Sequence, residues 1–226
     1  MFYLPKNQEN MPEALSDITV LDCSQILAGP FCSMLLSDMG AKVIKIEKPS
    51  GGDDTRRFGP PFIKNESAAF LAMNRNKRSI VIDFKHENGV EIMKNLSKDS
   101  TIIIENYRTG VMEKLGLGYE DLKKINPKII YCSISGFGRT GPYAERGGFD
   151  LVAQGMSGLM SITGIPNSPP IKVGVPIADM NAGMFATYSI LSAYIHMLKS
   201  GEGQYLEVSL LESALAYTVW ESSSYF

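Results

Sequence analysis

The stretch "ITVLDCSQILAGPFCSMLLSDMGAKVIKIEKP" (residues 18–49) decides the fold. It opens on a short β-branched run, "ITVLDCS" (18–24). "LAGPFCSMLLSDMG" (27–40) follows, with Pro30 suited to a first helical turn and Gly40 to a helix C-terminus. "AKVIKIEKP" (41–49) is a second strand, stopped by Pro49. Strand, helix and strand within about thirty residues make a βαβ unit, which implies a parallel sheet.

The same rhythm resumes downstream. Strands are expected at 78–84, 100–107 and 128–136, and a strand running into a helix at 203–221. Helices are expected at 86–99, 111–127 with a glycine break, 150–164 and 180–201. The run "STIIIENY" (100–107) is nearly continuous in apolar residues and suits a strand buried on both faces. In the last long helix Met180, Met184, Tyr188, Leu191, Ile195 and Leu198 recur at three- or four-residue spacing and form an apolar stripe. The pattern predicts one doubly wound, mostly parallel, Rossmann-like α/β domain over residues 18–226, after an N-terminal extension at 1–17. Ordered patterning begins at Ile18, and Met11 is an alternative start. The chain stops soon after a helix begins, so the domain is expected to be incomplete at its C-terminus.

Composition narrows the function. The 226 residues are 44% hydrophobic and 20% charged, with a formal net charge of -2. That balance suits a globular domain and argues against a nucleic-acid partner, which calls for a strong basic excess. Three sparse cysteines, Cys23, Cys32 and Cys132, form no CxxC pair, and only His86 and His196 could add imidazole ligands. A disulfide framework and a metal site are therefore not expected, and reduced thiols suit the cytoplasm or an organelle matrix. The most apolar stretch, near 183–198, is broken by Thr187, Ser189, Ser192 and His196, too polar for a membrane span.

Several segments carry candidate chemistry. "GFGRTG" (136–141) is a literal GxGxxG after a strand, but Pro142 and "YAERGG" follow where a dinucleotide fingerprint needs a helix N-terminus. It reads as a glycine-rich surface loop, or as one that lets a ligand approach the backbone. Lys48, Arg56, Arg57, Arg75, Lys77, Arg78 and Lys85 cluster in loops around the strands. They form either a charged surface or a site for a multiply phosphorylated ligand. "ENYRTG" (105–110) offers Asn106, Tyr107 and Arg108 at a strand end. Asp150 reads as a helix N-cap. Asp179 reads either as an N-cap, with the amides of Asn181 and Ala182 as donors, or as a nucleophile kept ionised by a helix N-terminus in an apolar setting. Cys132 and Ser133 have no histidine nearby in sequence.

Read together, residues 18 to about 220 resemble the family III CoA-transferases, the group of formyl-CoA transferase and the CaiB and BaiF proteins. The resemblance is carried by the opening stretch extended through "SGGDDTRRFGPPF", then by "NRNKRSIVIDFK", "ENYRTGVMEKLGLGYEDL", "IIYCSISGFGRTGPYAERGGFDLVAQGMSGLMSITG" and "VGVPIADMNAGMFA", in order. "GDDTRRFGPPF" and "LGLGYEDL" look like the branch handling succinate and hydroxymethylglutarate. The resemblance implies that Asp179 is the catalytic nucleophile. It implies coenzyme A contacts at Leu27, Ala28, Lys48, Ile82, Asp83, Phe84, Lys85, Asn106, Tyr107, Arg108 and Lys114, and along Gly147, Gly148, Phe149 and Asp150. Leu27 departs from the glutamine or small residue of some members. The implied reaction moves coenzyme A from an acyl-CoA donor to a small carboxylic acid through aspartyl-anhydride and aspartyl-CoA intermediates, with no permanently bound cofactor. The related α-methylacyl-CoA racemases carry a histidine where this chain has Phe149, so racemization is not expected. A non-catalytic CoA-binding fragment is the remaining alternative. Family members run to roughly 400 residues and form interlocked homodimers. The resemblance thus implies a homodimer at full length, or a separate C-terminal half, and a 226-residue chain inactive or unstable alone.

Overall fold

The computed structural model of the chain describes residues 13–225. Most of the expected extension, with Met11, lies outside the described residues. Of the rest, Leu15 is buried in the core and its amide donates to the Met39 carbonyl, so packing begins ahead of the first strand.

In chain order the elements are β1 (Thr19–Asp22), α1 (Ala28–Asp38), β2 (Lys42–Glu47), a 3-10 turn (Asp54–Arg57), β3 (Phe62–Ile63), β4 (Glu66–Ser67), α2 (Ala68–Met73), β5 (Lys77–Val81), α3 (Glu87–Lys98), β6 (Ile102–Glu105), α4 (Val111–Lys114), α5 (Tyr119–Ile125), β7 (Ile130–Ser135), α6 (Asp150–Met156), α7 (Leu159–Ile162), α8 (Ile177–Ser200), β8 (Tyr205–Ser209), α9 (Leu210–Leu215), a 3-10 turn (Ala216–Thr218) and α10 (Val219–Tyr225). Six strands form one sheet in the order β5-β2-β1-β6-β7-β8, and every pairing in it is parallel. The chain winds outward from β1 through β2 to β5, then restarts at β6 and winds the other way. The switch falls between β1 and β6, where the carboxyl ends of the strands leave a crevice in such sheets.

The expected doubly wound α/β class is the observed one. Both sheet faces are covered. Ile102 and Ile104 point into the cluster under α1, α6, α8 and α9, while Ile103 points into the opposite cluster with Met93 of α3, Met112 of α4 and Leu122 of α5. This alternation is why β6 is apolar at each of its isoleucines. The short β3–β4 hairpin and α2 were not anticipated; β3 and β4 have two residues each, too few for a period to register.

Helix α8 differs from its sequence reading in two ways. It starts at Ile177, three residues early, because Pro176 stands at the N-cap, where a missing N–H costs nothing. Its buried face is also not the expected stripe. Ala178, Ala182, Gly183, Ala186, Ile190 and Ala193 face inward, whereas Met184, Tyr188, Ile195 and Leu198 are exposed. Small residues let α8 lie close against α1. A Cβ on Gly183 would sit 2.7 Å from the Ala28 carbonyl oxygen and 2.9 Å from the Phe31 ring. This contact brings the first turn of α8 to the loop after β1.

Candidate functional site

The loop after β1 is held from below and from the side. Asp22, fully buried at the end of β1, accepts hydrogen bonds from the Ser24 amide (3.0 Å) and hydroxyl, the Ser33 hydroxyl (2.6 Å) and Lys77 (3.1 Å). Burial pushes its carboxyl up, but Lys77, Lys45 and the two hydroxyls outweigh that and hold it well below the usual carboxylate range. The buried Lys45 donates to the Ser24 carbonyl (3.0 Å) and pairs with Asp53 at 2.9 Å. Asn106, after β6, clamps Gln25 across the switch point: its Oδ1 accepts from the Gln25 amide and its Nδ2 donates to the Gln25 carbonyl, both at 2.8 Å. Between these anchors Ile26 is forced to φ 71°, and its amide points at the Asp53 carboxylate, 3.3 Å from each oxygen. A β-branched residue there is strained and persists only because its surroundings over-determine it.

The other wall comes from the loop after β7. Gly136 and Gly148 touch backbone to backbone, and a Cβ on Gly136 would lie 2.3 Å from the Gly148 Cα. The glycine at the head of "GFGRTG" therefore lets the two ends of this one loop close on each other, and the next helix, α6, begins only at Asp150. Arg139 donates to Ser133 Oγ, the Tyr107 carbonyl and Glu105, each at 2.7 Å, tying this loop to the one after β6.

These loops enclose a cavity of about 490 Å³. Leu27, Ala28, Asn106, Tyr107, Arg108, Gly147, Gly148, Phe149 and Asp179 all line it. So do Gln25, Ile26, Gly136, Arg139 and Arg146, which sequence reasoning had not assigned to a site. Arg139 and Gly136 lay inside the glycine motif and Arg146 directly before Gly147, so the signal was present in adjacent letters. Arg108 and Arg146 form no ion pair among the described residues; the Arg146 guanidinium stacks 4.3 Å over the Tyr143 ring.

The remaining candidates fall outside the lining. Lys48 follows β2 and pairs with Asp54 at 2.9 Å. Ile82, Asp83, Phe84 and Lys85 follow the edge strand β5 on the same side of the sheet, with Ile82 buried and Phe84 packed on the core. Lys114 ends α4 and is exposed. The proposed basic cluster is largely spent internally: Arg56 pairs with Glu47 and Glu66, Arg57 with Asp54, Arg75 with Asp38, and Lys77 with Asp22. Arg75 and Arg78 also lie just before and at the start of β5, away from the carboxyl ends of the strands, whereas the Lys77 side chain runs to Asp22 at the end of β1. Charge counted along the sequence cannot separate paired from unpaired cations.

The two acids behave differently from their capping reading. Asp150 is the first residue of α6 and does not cap it. Its Oδ1 accepts instead from the amides of Ala178 (2.8 Å) and Asp179 (3.3 Å), so it caps α8. Its Oδ2 accepts from Gln154 at 2.7 Å, and it is absent from the cavity lining. Asp179 is the third residue of α8, not the cap, and no donor reaches its carboxylate among the described residues. Burial, then the neighbouring Asp150, pushes Asp179 up to about 7, against the expectation that the helix N-terminus keeps it fully ionised.

Such a sheet, with an acid and unpaired arginines in a cleft at its switch point, is of the doubly wound α/β class, in which ligands commonly bind at that place. Residues 15–226 match the pattern of the family described as CoA-transferase family III. The chain is 46% identical over 222 residues to a succinate–glutarate CoA-transferase of Agrobacterium fabrum, covering 96% of this chain and 56% of that protein. It is 43% identical over 221 residues to a succinyl-CoA:glutarate CoA-transferase of Mus musculus, covering 98% and 51%. A crystal structure of a CAIB/BAIF family protein from Brucella suis superposes with a TM-score of 0.92 at 44% identity, covering 95% of this chain and 58% of that one. This chain belongs to CoA-transferase family III. It spans about half the length of the relatives it matches.

Proposed function

We propose that this chain is the nucleophile-bearing part of an enzyme that moves coenzyme A from an acyl-CoA to a small carboxylic acid, with Asp179 as the nucleophile. The observation that carries this reading is the Asp179 carboxylate itself: half-buried, without a hydrogen-bond donor, in a cavity shared with unpaired Arg108 and Arg146. The carboxylates that serve structure in this chain, Asp22, Asp53 and Glu47, are each held by several donors.

In the proposed sequence an Asp179 oxygen attacks the thioester carbonyl. The C–S bond breaks, CoA thiolate leaves, and an acyl-aspartyl anhydride remains. The thiolate then attacks the aspartyl carbonyl and releases the donor acid, leaving an aspartyl-CoA thioester. An acceptor carboxylate attacks that carbonyl and expels the thiolate, which takes the acceptor acyl group and frees Asp179. No proton is gained or lost overall, so no acid–base partner is needed. Neither His86 nor His196 lines the cavity, which disfavours proton shuttling of the racemase kind. Arg108 and Arg146 suit the anionic groups of coenzyme A or of the acid. The relatives named for succinate and glutarate make a dicarboxylic acid the first choice, with succinyl-CoA as donor.

The test is mass spectrometry of the full-length protein after acyl-CoA, then hydroxylamine. Trapping is expected on Asp179. Turnover with Asp179 unmodified would refute the nucleophile, and tight CoA binding with neither turnover nor trapping would favour a non-catalytic CoA-binding protein.

A further inference from the structure

Asp150 is the charged group that touches the first turn of α8. Pro176, at the N-cap, has no side chain able to accept a hydrogen bond, so the amides of Ala178 and Asp179 depend on Asp150. Asp150 is itself fixed. Gln154, fully buried, donates to its Oδ2, and the Gln154 Oε1 accepts the Val173 amide at 2.8 Å. The segment entering α8 is thus tied to α6 at both ends of Gln154.

We propose that Asp150 is a positioning residue for Asp179: through the Ala178 and Asp179 amides it anchors the first turn of α8 and sets a second carboxyl group beside the nucleophile. The inference rests on the nucleophilic reading of Asp179. A carboxylate that gives up its proton less readily is the more basic anion, and reactivity is greatest when that basicity matches the working pH.

The other charges around this end do not duplicate the role. Across the cavity stand Arg108, Arg139, Arg146 and Asp54, of which Arg139 is engaged by Glu105 and Asp54 by Lys48 and Arg57. The acid of α1, Asp38, lies at its far end. In α9, Glu212 accepts from Ser209, and in the entering segment Lys172 is exposed. The raised pKa of Asp179 has burial as its first cause and Asp150 as its second.

The test is the pH dependence of acyl-CoA labelling at Asp179, read by trapping in the full-length protein. Asp150→Asn and Asp150→Ser keep an oxygen for the α8 amides and remove the charge. Their labelling midpoint is expected to fall by about one pH unit, which makes labelling at pH 6 about fivefold faster than wild type. Asp150→Glu keeps the charge but moves it, and is expected to lower the rate at every pH. A folded Asn or Ser variant with the wild-type midpoint overturns the proposal, as does a wild-type midpoint near pH 4, which needs no variant. A protein that turns over without labelling at Asp179 refutes the nucleophile instead, so the two failures are distinguishable.

Discussion

Burial and Asp150 push the Asp179 carboxyl up to about 7, and only its anion can attack a thioester. Below that pH the first acylation step is expected to slow about tenfold per pH unit, which single-turnover kinetics would read. The same shift has a stability sign. The folded pKa of about 7 lies above the ordinary 3.8, so the stability that protonated Asp179 contributes is fully present below pH 3.8 and is lost as pH rises through 7. Asp179→Asn is therefore expected to be roughly 1–2 kcal/mol more stable than wild type at pH 8, after discounting for partial exposure, and indistinguishable at pH 4. Its transfer rate should fall about a thousandfold or more. A less stable Asp179→Asn at pH 8 would mean that the carboxylate is structurally satisfied after all. Such a cost in stability for a reactive group is common at functional sites.

The elements transmit position through contacts that leave no room. Gly183→Ala places a methyl against the Ala28 carbonyl and the Phe31 ring, and Gly136→Ala places one against the Gly148 backbone. Each is expected to cost about 1–3 kcal/mol in a denaturant titration. Both should also weaken acyl-CoA binding, because the loops that move are those lining the cavity. Asn106→Ala removes both bonds of the clamp between the loops after β1 and β6, and leaves the Gln25 backbone groups unpaired. The expected loss is about 1–3 kcal/mol, with a rise in KM for the acyl-CoA larger than any fall in kcat. An unchanged KM would show that the clamp serves folding alone. Strand and helix order were legible in the sequence at this scale because β-branched runs, Pro and Gly mark them. The start and the buried face of α8 were not. Its capping acid stands 27 residues before its first residue, and its large apolar residues are exposed while its small ones pack on α1.

Across the whole molecule, the carboxyl ends of the strands rest on buried charge. Lys45 neutralises Asp53 and lies 4.0 Å from Asp22, Lys77 pairs with Asp22, and Arg56 chelates Glu47 through two bonds of 2.7 Å. Lys45→Met would leave the buried Asp53 without its cation, while Asp22 keeps Lys77, and is expected to cost about 3–5 kcal/mol in denaturant unfolding. A cost below about 1 kcal/mol would deny the network a structural role. Asp22, Asp53 and Glu47 all have lowered pKa values, Glu47 to about 2, so the stability they contribute is present above the ordinary carboxylate range and lost as pH falls. Acid unfolding followed by circular dichroism should run from about pH 4 down to 2. The sequence by itself determined the parallel α/β class, the order of its elements and the position of Asp179, because periodicity, breakers and motif order are local properties of the chain. Tertiary structure alone decided which cations remain free, that Asp150 caps α8 and not its own helix, and that Asp179 resists ionisation. Those properties arise from groups well apart in sequence, such as Asp150 and Ala178 or Asp22 and Lys77, that meet only when strands and helices pack.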